Sequence, residues 1–292
     1  MPGGFGIEAL PPAATNPERN FMDASTLEST AATEVLPDAV ASLMATHLAE
    51  SFSAERRAEL AAKFADEHIV TLPGFCPPSL LEAIKDEANG IMGRHGAYHD
   101  LTFEITDGTP RRMRTVGQPV IRDEGPLIHN FYFAPVLLDF VAGLVGEQVH
   151  TCPYAGEHYV ISRLDSSGDT HGWHWDDYTY GIILVIEAPH YTEGGFVQAV
   201  PNTSWDKSNP DVYGALISSQ VRSYALEAGD AYVVKTNTTM HRVHPIRGEG
   251  QRTIVNMTLA STPDLDRPMT HETNDALFGG VRDPREATSQ AQ

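Results

Sequence analysis

The stretch that decides the fold is DTHGWHWDDYTYGIILV, residues 169–185, followed further along the chain by GDAYVVKTNTTMHRVHPI, residues 229–246. Each combines a β-branched and aromatic run with turn residues, which is typical of antiparallel strands. Three similar runs lie around them: EHYVISRL (157–164), GGFVQAV (194–200) and RTIVNMTLA (252–260). Short strands separated by turns indicate an antiparallel barrel or sandwich.

The part of the chain before these strands has helical patterns instead. Ser53 stands where an N-cap is expected, before an apolar stripe that ends near Ile69. Pro77 and Pro78 open a second helical stripe, and APVLLDFVAGLVGE, residues 134–147, forms a third. Helices first and strands later predict an α+β fold with the helices packed on one face of a β core.

We therefore expect one catalytic domain at residues 37–282, with a helical front section at 37–147 and a β core at 148–262. Residues 1–36 are rich in Pro, Ala, Gly, Ser and Thr, which predicts a flexible N-terminal arm. Residues 283–292 are expected to be a disordered tail. The segment 96–130 is expected to be a loop that helps to cover the site.

Composition narrows the classes of partner. The chain has 292 residues and a formal net charge of −19, which disfavours nucleic acid and anionic membranes as partners. Its two cysteines cannot form a disulfide framework or a cysteine-based zinc site. No signal peptide or membrane-length apolar run is visible, so a cytoplasmic location is expected. The sequence leaves the oligomeric state open.

A metal site is indicated by the HxD triplet of the first stretch. His174 and Asp176 are two residues apart, so on a strand both side chains would point to one face. The second stretch supplies another histidine, His241. Two histidines and one carboxylate leave three positions of an octahedral metal open, the arrangement that iron(II) oxygenases use.

Arg252 sharpens this hypothesis because it opens the apolar strand RTIVNMTLA, 11 residues after His241. An arginine inside such a strand needs a partner, since burying an unpaired charge is costly. The C5 carboxylate of 2-oxoglutarate would pair with it bidentately. The alternative is an ordinary salt bridge to a carboxylate of the protein.

Other histidines compete for roles in the site. His241 and His244 have opposite parity on one strand, and the spacing to Arg252 favours His241 as the ligand. His171 is open to three readings: a core histidine, a substrate contact or a mistaken ligand. His190 is expected in a turn.

These residues resemble the double-stranded β-helix (jelly-roll, cupin-like) oxygenases that depend on Fe(II) and 2-oxoglutarate. More narrowly, three segments resemble the carrier-free amino-acid halogenases, such as the lysine halogenase, and their hydroxylase relatives: TPRRMRTV (109–116), CPYAGEHYVISRL (152–164) and DTHGWHWDDYTYGIILVIEAP (169–189). The resemblance implies iron, 2-oxoglutarate and dioxygen (O2) as cofactors and co-substrates. In the halogenases a small residue replaces the carboxylate, so Asp176 implies hydroxylation.

The resemblance also implies how a free amino acid would be held. Arg111 or Arg112 would bind its carboxylate, and Glu157 would contact its amine. The remaining pocket residues implied in this way are His171, Asp177, Asn256 and Thr258. Parity supports the last two, because Arg252, Ile254, Asn256 and Thr258 share one face of a strand. The expected activity is hydroxylation of an unactivated C–H bond of a basic, lysine- or ornithine-like amino acid, with release of succinate and CO2.

One departure weakens the assignment of lysine itself: residues 270–280, THETNDALFGG, contain no tryptophan, although lysine-acting relatives are expected to have an aromatic pocket residue there. Several alternatives remain at this point. The same iron centre could desaturate, cyclise or epimerise another small amine-bearing metabolite, or modify a protein. A non-catalytic cupin is a further alternative, although cupins usually use an HxH pair, which the sequence lacks.

Overall fold

A computed structural model describes the backbone of residues 24–279 and the side chains of residues 38–279. Most of the expected N-terminal arm and the whole expected tail at 283–292 lie outside the described residues. Internal contacts separate two units, Met1–Val35 and Leu36–Gln292.

Most helices precede the main strands, as expected for the α+β class. The α-helices of the described part are α1 (Ala24–Ser51), α2 (Ala54–Glu67), α3 (Pro78–His95), α4 (Gln118–Glu124), α5 (Pro126–Tyr132), α6 (Pro135–Val145), α7 (Val212–Ser218) and α8 (Glu272–Phe278). Short 3-10 helices occupy Glu104–Thr106, Ala155–Glu157, Tyr191–Glu193 and Thr262–Leu265. Over this part, no single helix has the length and apolar character to span a membrane, and only the bent pair α5–α6 passes on length and composition.

The helix starts follow from local chemistry. The Ser53 hydroxyl accepts a hydrogen bond from the backbone N–H of Arg56 at 3.2 Å, which confirms its expected role as the N-cap of α2. Helices α3 and α6 both begin with a proline, Pro78 and Pro135, at a position where the missing N–H costs nothing. These residues mark where the three helices begin.

The strands form two antiparallel sheets. They are β1 (Ile69–Leu72), β2 (Ala97–Thr102), β3 (Pro110–Val116), β4 (Val149–Thr151), β5 (Tyr159–Leu164), β6 (Thr170–His171), β7 (Tyr180–Glu187), β8 (Val197–Val200), β9 (Arg222–Tyr224), β10 (Ala231–Lys235), β11 (Met240–Val243) and β12 (Arg252–Ser261). The larger sheet has the order β1-β10-β7-β12-β5-β3-β2, with β4 and β6 at its margins. The smaller has the order β11-β8-β9, and the two together form the double-stranded β-helix core.

Strict alternation along the central strands gives the large sheet two different faces. On β12, Val255 and Met257 join the core that the helices cover, whereas Ile254 packs toward β8 of the small sheet. On β7, Ile182 packs on the helical side and Ile183 on the other. Because side chains alternate with a period of two, one strand serves both the helical core and the space between the sheets.

The front section departs from the sequence expectation at residues 96–130. This segment, expected to be a loop, contains the hairpin β2–β3 and helices α4 and α5. Strand β3 pairs with β5 and carries Arg111, Met113 and Thr115 on its buried face. The face that looks inward is largely polar, so the apolar alternation that marks a strand is missing from the sequence.

Candidate active site

The two metal-ligand candidates from distant parts of the sequence are joined directly through their backbones. The His174 N–H donates to the His241 carbonyl at 3.0 Å, and the His241 N–H donates to the His174 carbonyl at 2.9 Å. The sequence predicted that His174 and Asp176 lie on a regular strand, but they lie in the connection between β6 and β7. The two backbone hydrogen bonds between His174 and His241, and not a regular strand, hold the two histidines side by side.

Backbone carbonyls set the orientation of both imidazoles. His174 Nδ1 lies 2.6 Å from the Gly172 carbonyl, and His241 Nδ1 lies 2.9 Å from the Thr239 carbonyl. Since a carbonyl only accepts, each Nδ1 carries the proton and each Nε2 presents a lone pair. Burial, with the neighbouring His171 as the next cause, holds the pKa of His174 well below its usual value, so the neutral ligand form is favoured.

The Nε2 atoms of both histidines lie close to the carboxylate of Asp176. Nε2 of His174 lies 3.7 Å from Oδ1 of Asp176, and Nε2 of His241 lies 3.7 Å from Oδ2 of the same group. These three donors lie within 4.8 Å of one another, close enough to hold one metal ion. Two neutral imidazoles and one carboxylate are the donor set that suits non-haem iron(II).

Gly172 is required beside this centre by a close backbone approach. Its N–H donates to the Pro110 carbonyl at 2.8 Å, and a Cβ at this position would stand 2.6 Å from that oxygen. The absence of a side chain therefore lets β3 approach the segment that carries His174.

Arg252 lines the same cavity and lacks an acidic partner. Its side chain is 4% exposed, and none of the carboxylates in the described residues is within ion-pair distance. Its Nη2 has no hydrogen-bond partner, while the Tyr232 hydroxyl accepts a bond from the guanidinium. Within the described residues, Arg252 therefore forms no salt bridge to a protein carboxylate. The buried guanidinium of Arg252, with one N–H group unpaired, can bind a carboxylate such as that of 2-oxoglutarate.

A second buried cation, Arg111, also lines the cavity. Its Nη1 donates to His171 Nε2 at 2.7 Å, and its Nε has no partner. Burial lowers the pKa of Arg111 to about 10, against the opposing influence of Asp176 and Asp177, so the group stays charged near neutral pH. His171 in turn stacks on His174, with ring centroids 3.7 Å apart. Arg111 can therefore receive another carboxylate.

The two acidic residues of the expected amine subsite line the cavity but already have partners. Glu157 Oε1 lies 2.8 Å from His271 Nδ1, and Asp177 Oδ1 accepts from the Lys207 ammonium at 2.7 Å. Lys207 also pairs with Glu272 at 2.8 Å. Glu157 is thus bonded to a histidine of the protein, and Asp177 to a lysine.

The remaining sequence candidates divide into two groups. Asn256 and Thr258 line the cavity on the same face of β12 as Arg252, as parity predicted. Arg112 does not line it: it points to the opposite side of β3 and pairs with Asp100 at 3.0 Å, so of the two candidate arginines the structure brings Arg111 to the cavity. Successive strand residues face opposite ways, and Arg111 holds the inward position.

The two outlying histidines also lie away from the metal donors. His244 stacks on Phe196 with centroids 4.4 Å apart, which agrees with its exclusion as a ligand. His190 caps the 3-10 turn at Tyr191–Glu193, as expected.

Comparison with protein families gives a match over most of the chain. The model described as halogenase D (HalD) aligns with residues 52–279 of the 292 residues. The chain belongs to the halogenase D family. Solved structures that share its fold include α-ketoglutarate-dependent enzymes, the class that the sequence resembles. No curated protein matches the chain.

Solved structures of low sequence identity share the fold of this halogenase D family member. AviO1 from Streptomyces viridochromogenes Tue57 has a TM-score of 0.57 at 16% identity, over 74% of this chain and 98% of AviO1. The non-haem α-ketoglutarate-dependent epimerase SnoN from nogalamycin biosynthesis has a TM-score of 0.55 at 16% identity, over 78% and 92%. A Trichoplax adhaerens prolyl hydroxylase, bound to a hypoxia-inducible-factor peptide, has a TM-score of 0.52 at 9% identity, over 73% and 93%.

Three functional-site residues of this halogenase D family member were missed in the sequence. Tyr232 lies on β10 with its hydroxyl at Arg252, and alternation within DAYVVKT could have placed it on the inner face. Lys207 and His271 come from irregular segments and reach the site only through tertiary packing. No local pattern marks such residues, since loops carry no period.

Proposed function

We propose that the protein hydroxylates an unactivated C–H bond of a free amino acid, consuming 2-oxoglutarate and O2 and releasing succinate and CO2. The observation that carries this proposal is a buried arginine, Arg252, which has no acidic partner among the described residues and lies in the cavity where His174, Asp176 and His241 converge. A second unsatisfied cation, Arg111, offers a place for the substrate carboxylate.

The proposed ligands of the iron are His174, Asp176 and His241, whose donor atoms fit a single ion. The bound iron and 2-oxoglutarate supply the oxidising chemistry. The chain supplies neutral imidazoles, and backbone carbonyls bonded to each Nδ1 leave each Nε2 free to bind the metal.

Arg252 and Tyr232 would hold the far carboxylate of 2-oxoglutarate, the first by two parallel N–H bonds and the second by its hydroxyl proton. Arg111 would orient the substrate through its carboxylate, with Asn256 and Thr258 as polar contacts on the same wall. Fixing a carboxylate at one end sets which carbon of the substrate stands beside the metal.

Hydroxylation is favoured over halogenation although the family is named for a halogenase. In the amino-acid halogenases that the sequence resembles, a small residue leaves a metal position for chloride. Here Asp176 places both of its carboxylate oxygens 3.7 Å from a histidine Nε2. The position that chloride would need is therefore filled.

The amino-acid class has stronger support than a basic side chain. The sequence suggested a lysine- or ornithine-like substrate because Glu157 and Asp177 match acidic contacts to an amine. Both carboxylates are engaged within the chain, by His271 and Lys207. Arg111 forms no ion pair among the described residues, and its Nε has no hydrogen-bond partner, so it can still bind a carboxylate.

The test is an aerobic incubation with iron(II), ascorbate and 2-oxoglutarate against a panel of free amino acids, with and without chloride. Mass spectrometry should find one added oxygen on an amino acid together with succinate. A chlorinated product would refute the role given to Asp176. Loss of two hydrogens would show desaturation instead, and no modified amino acid in the panel would refute the substrate class. The Arg112→Met variant, altered outside the cavity, should behave as the wild type.

A further inference from the structure

A second cleft, the outer cleft, lies beside strands β8 and β11 of the small sheet and takes no part in the proposed reaction. Its volume is about 480 Å³, within the range of small-molecule sites, and its walls include Trp173, Gln198, Tyr213, Leu216, Val221 and Arg242. Two of its apolar residues are open to solvent, since Tyr213 is 63% exposed and Val221 is 37% exposed. Exposed apolar side chains around a concave surface mark a place where a ligand can bind.

Arg242 is the charged residue of the outer cleft. It follows His241 on β11, so its side chain points to the other face of the strand. Its guanidinium carbon lies 4.8 Å from the centre of the Trp173 ring, and its Nε donates to Gln198 Oε1 at 2.8 Å. Trp173 and Gln198 line the outer cleft and not the active-site cavity. Although Arg242 borders both spaces, its charged end is therefore held at the outer cleft.

This cation has no counter-charge in the part of the chain that the structure describes. The chain carries 39 acidic residues, but none of those described lines the outer cleft or forms an ion pair with Arg242. Burial lowers the pKa of Arg242, and no neighbouring carboxylate opposes that effect. A partly buried cation without a counter-charge lowers the stability of the protein, and an anion bound in the cleft would offset this cost.

The contacts of the guanidinium leave its outer edge free. Gln198 accepts from Nε of Arg242, and its own Nε2 donates to Ser223 Oγ at 3.1 Å, while the Trp173 ring lies against the guanidinium. These contacts fix the plane of the group. Over the described residues, its two Nη groups have no hydrogen-bond partner, and their parallel N–H bonds match the two oxygens of a carboxylate. The apolar wall beside them favours an apolar body on the same ligand.

We infer that the outer cleft binds a small monocarboxylic acid with an apolar chain, its carboxylate on the Nη groups of Arg242 and its chain against Trp173 and Tyr213. This site is separate from the proposed hydroxylation and does not depend on it. Gly172, whose carbonyl orients His174, also borders the outer cleft. A bound acid would therefore contact the backbone segment that carries a candidate metal ligand.

The test is calorimetric titration of the full chain with hexanoate, acetate and hexylammonium. Iron(II) and 2-oxoglutarate are present under anaerobic conditions, so that Arg252 is occupied and no turnover occurs. Hexanoate should bind at least roughly tenfold more tightly than acetate, because its four additional methylenes are buried against the apolar wall. Hexylammonium, which has a similar chain and the opposite charge, should bind at least roughly tenfold more weakly than hexanoate.

Four variants locate the site. Arg242→Met removes the cation and should weaken hexanoate binding at least roughly tenfold, whereas Arg111→Met, altered in the active-site cavity, should retain it. Tyr213→Asp changes an exposed side chain and places a negative charge at the cleft, so it should weaken binding by about threefold or more. Arg112→Met is the matched control, because this exposed arginine pairs with Asp100 and lines neither space. Its affinity for hexanoate should equal that of the wild type.

Several results would overturn the inference. Loss of hexanoate binding in Arg111→Met would place the acid in the active-site cavity, and unchanged binding in Arg242→Met would remove the proposed anchor. Absence of hexanoate binding by the wild type, or equal affinity for hexanoate and hexylammonium, would refute the site itself. If Arg242→Met does not fold, Tyr213→Asp decides, and unchanged affinity there overturns the inference. None of these results bears on hydroxylation, which the panel of amino acids tests separately.

Discussion

Replacing Arg252 by methionine tests the link between the buried cation and 2-oxoglutarate. Arg252 is 4% exposed, one of its terminal nitrogens has no partner, and no protein carboxylate neutralises it among the described residues. If a carboxylate of 2-oxoglutarate completes this pair, removing the guanidinium should cost roughly 2–5 kcal/mol of binding free energy. That corresponds to a dissociation constant raised about 30-fold to several thousand-fold.

The unliganded protein should respond in the opposite direction. A guanidinium buried without a counter-charge lowers the free energy of unfolding, and methionine fills much of the same space without a charge. Arg252→Met should therefore unfold at an equal or higher denaturant concentration than the wild type when 2-oxoglutarate is absent. The Arg252→Lys variant, which keeps the charge and loses the paired donors, should bind 2-oxoglutarate with intermediate affinity.

The assay is anaerobic calorimetric titration of 2-oxoglutarate into the iron(II)-loaded protein, paired with equilibrium unfolding with and without 2-oxoglutarate. Arg112→Met is the control, since this arginine is exposed and pairs with Asp100. Unchanged affinity in Arg252→Met, together with a large loss of stability without ligand, would refute the reasoning. Arg252 would then have a structural role.

Three further predictions follow from the site and its surroundings. Asp176→Gly should abolish hydroxylation and weaken iron(II) binding in a metal titration; full activity would contradict its place as a ligand. Burial alone would raise the pKa of Glu272, but the hydrogen bonds from Lys207, Thr270 and the backbone, together with the charge of Lys207, outweigh it and lower the pKa from 4.5 to about 2. Because the folded pKa is depressed, the stabilisation is present above pH 4.5 and lost toward pH 2. Glu272→Gln should thus lower Tm at neutral pH, and the difference should disappear in that acid range; a difference independent of pH would refute the assignment. Gly172→Ala, whose Cβ would stand 2.6 Å from the Pro110 carbonyl, should cost about 1–3 kcal/mol of stability in urea unfolding, and a neutral effect would show that β3 can yield.

Elements with a regular period could be predicted from the sequence. Alternation along β12 correctly placed Asn256 and Thr258 beside Arg252, because a strand has a fixed period of two. The helices α2 and α3 were located from Ser53 and the prolines before their first turns. These signals act within a few residues, so the sequence alone carries them.

The features that the sequence did not predict are those that depend on contacts between distant parts of the chain. The hairpin β2–β3 was missed because its inward positions include Arg111 and Thr115, which conceal the strand from any apolar pattern. Its parity would have rejected Arg112 once Arg111 was assigned to the inner face. Lys207 and His271 could not be found, since their partners Asp177 and Glu157 lie far along the chain and no local rule connects them.

The central strand β12 has a practical consequence for protein engineering. Ile254, Asn256 and Thr258 line the cavity, whereas the residues between them belong to the core under the helices. A combinatorial library restricted to these three even-numbered positions would change substrate preference. The core residues at the odd-numbered positions, such as Val255 and Met257, would stay unchanged. Diversity at this strand can then be screened for new substrates at a small cost in folded yield.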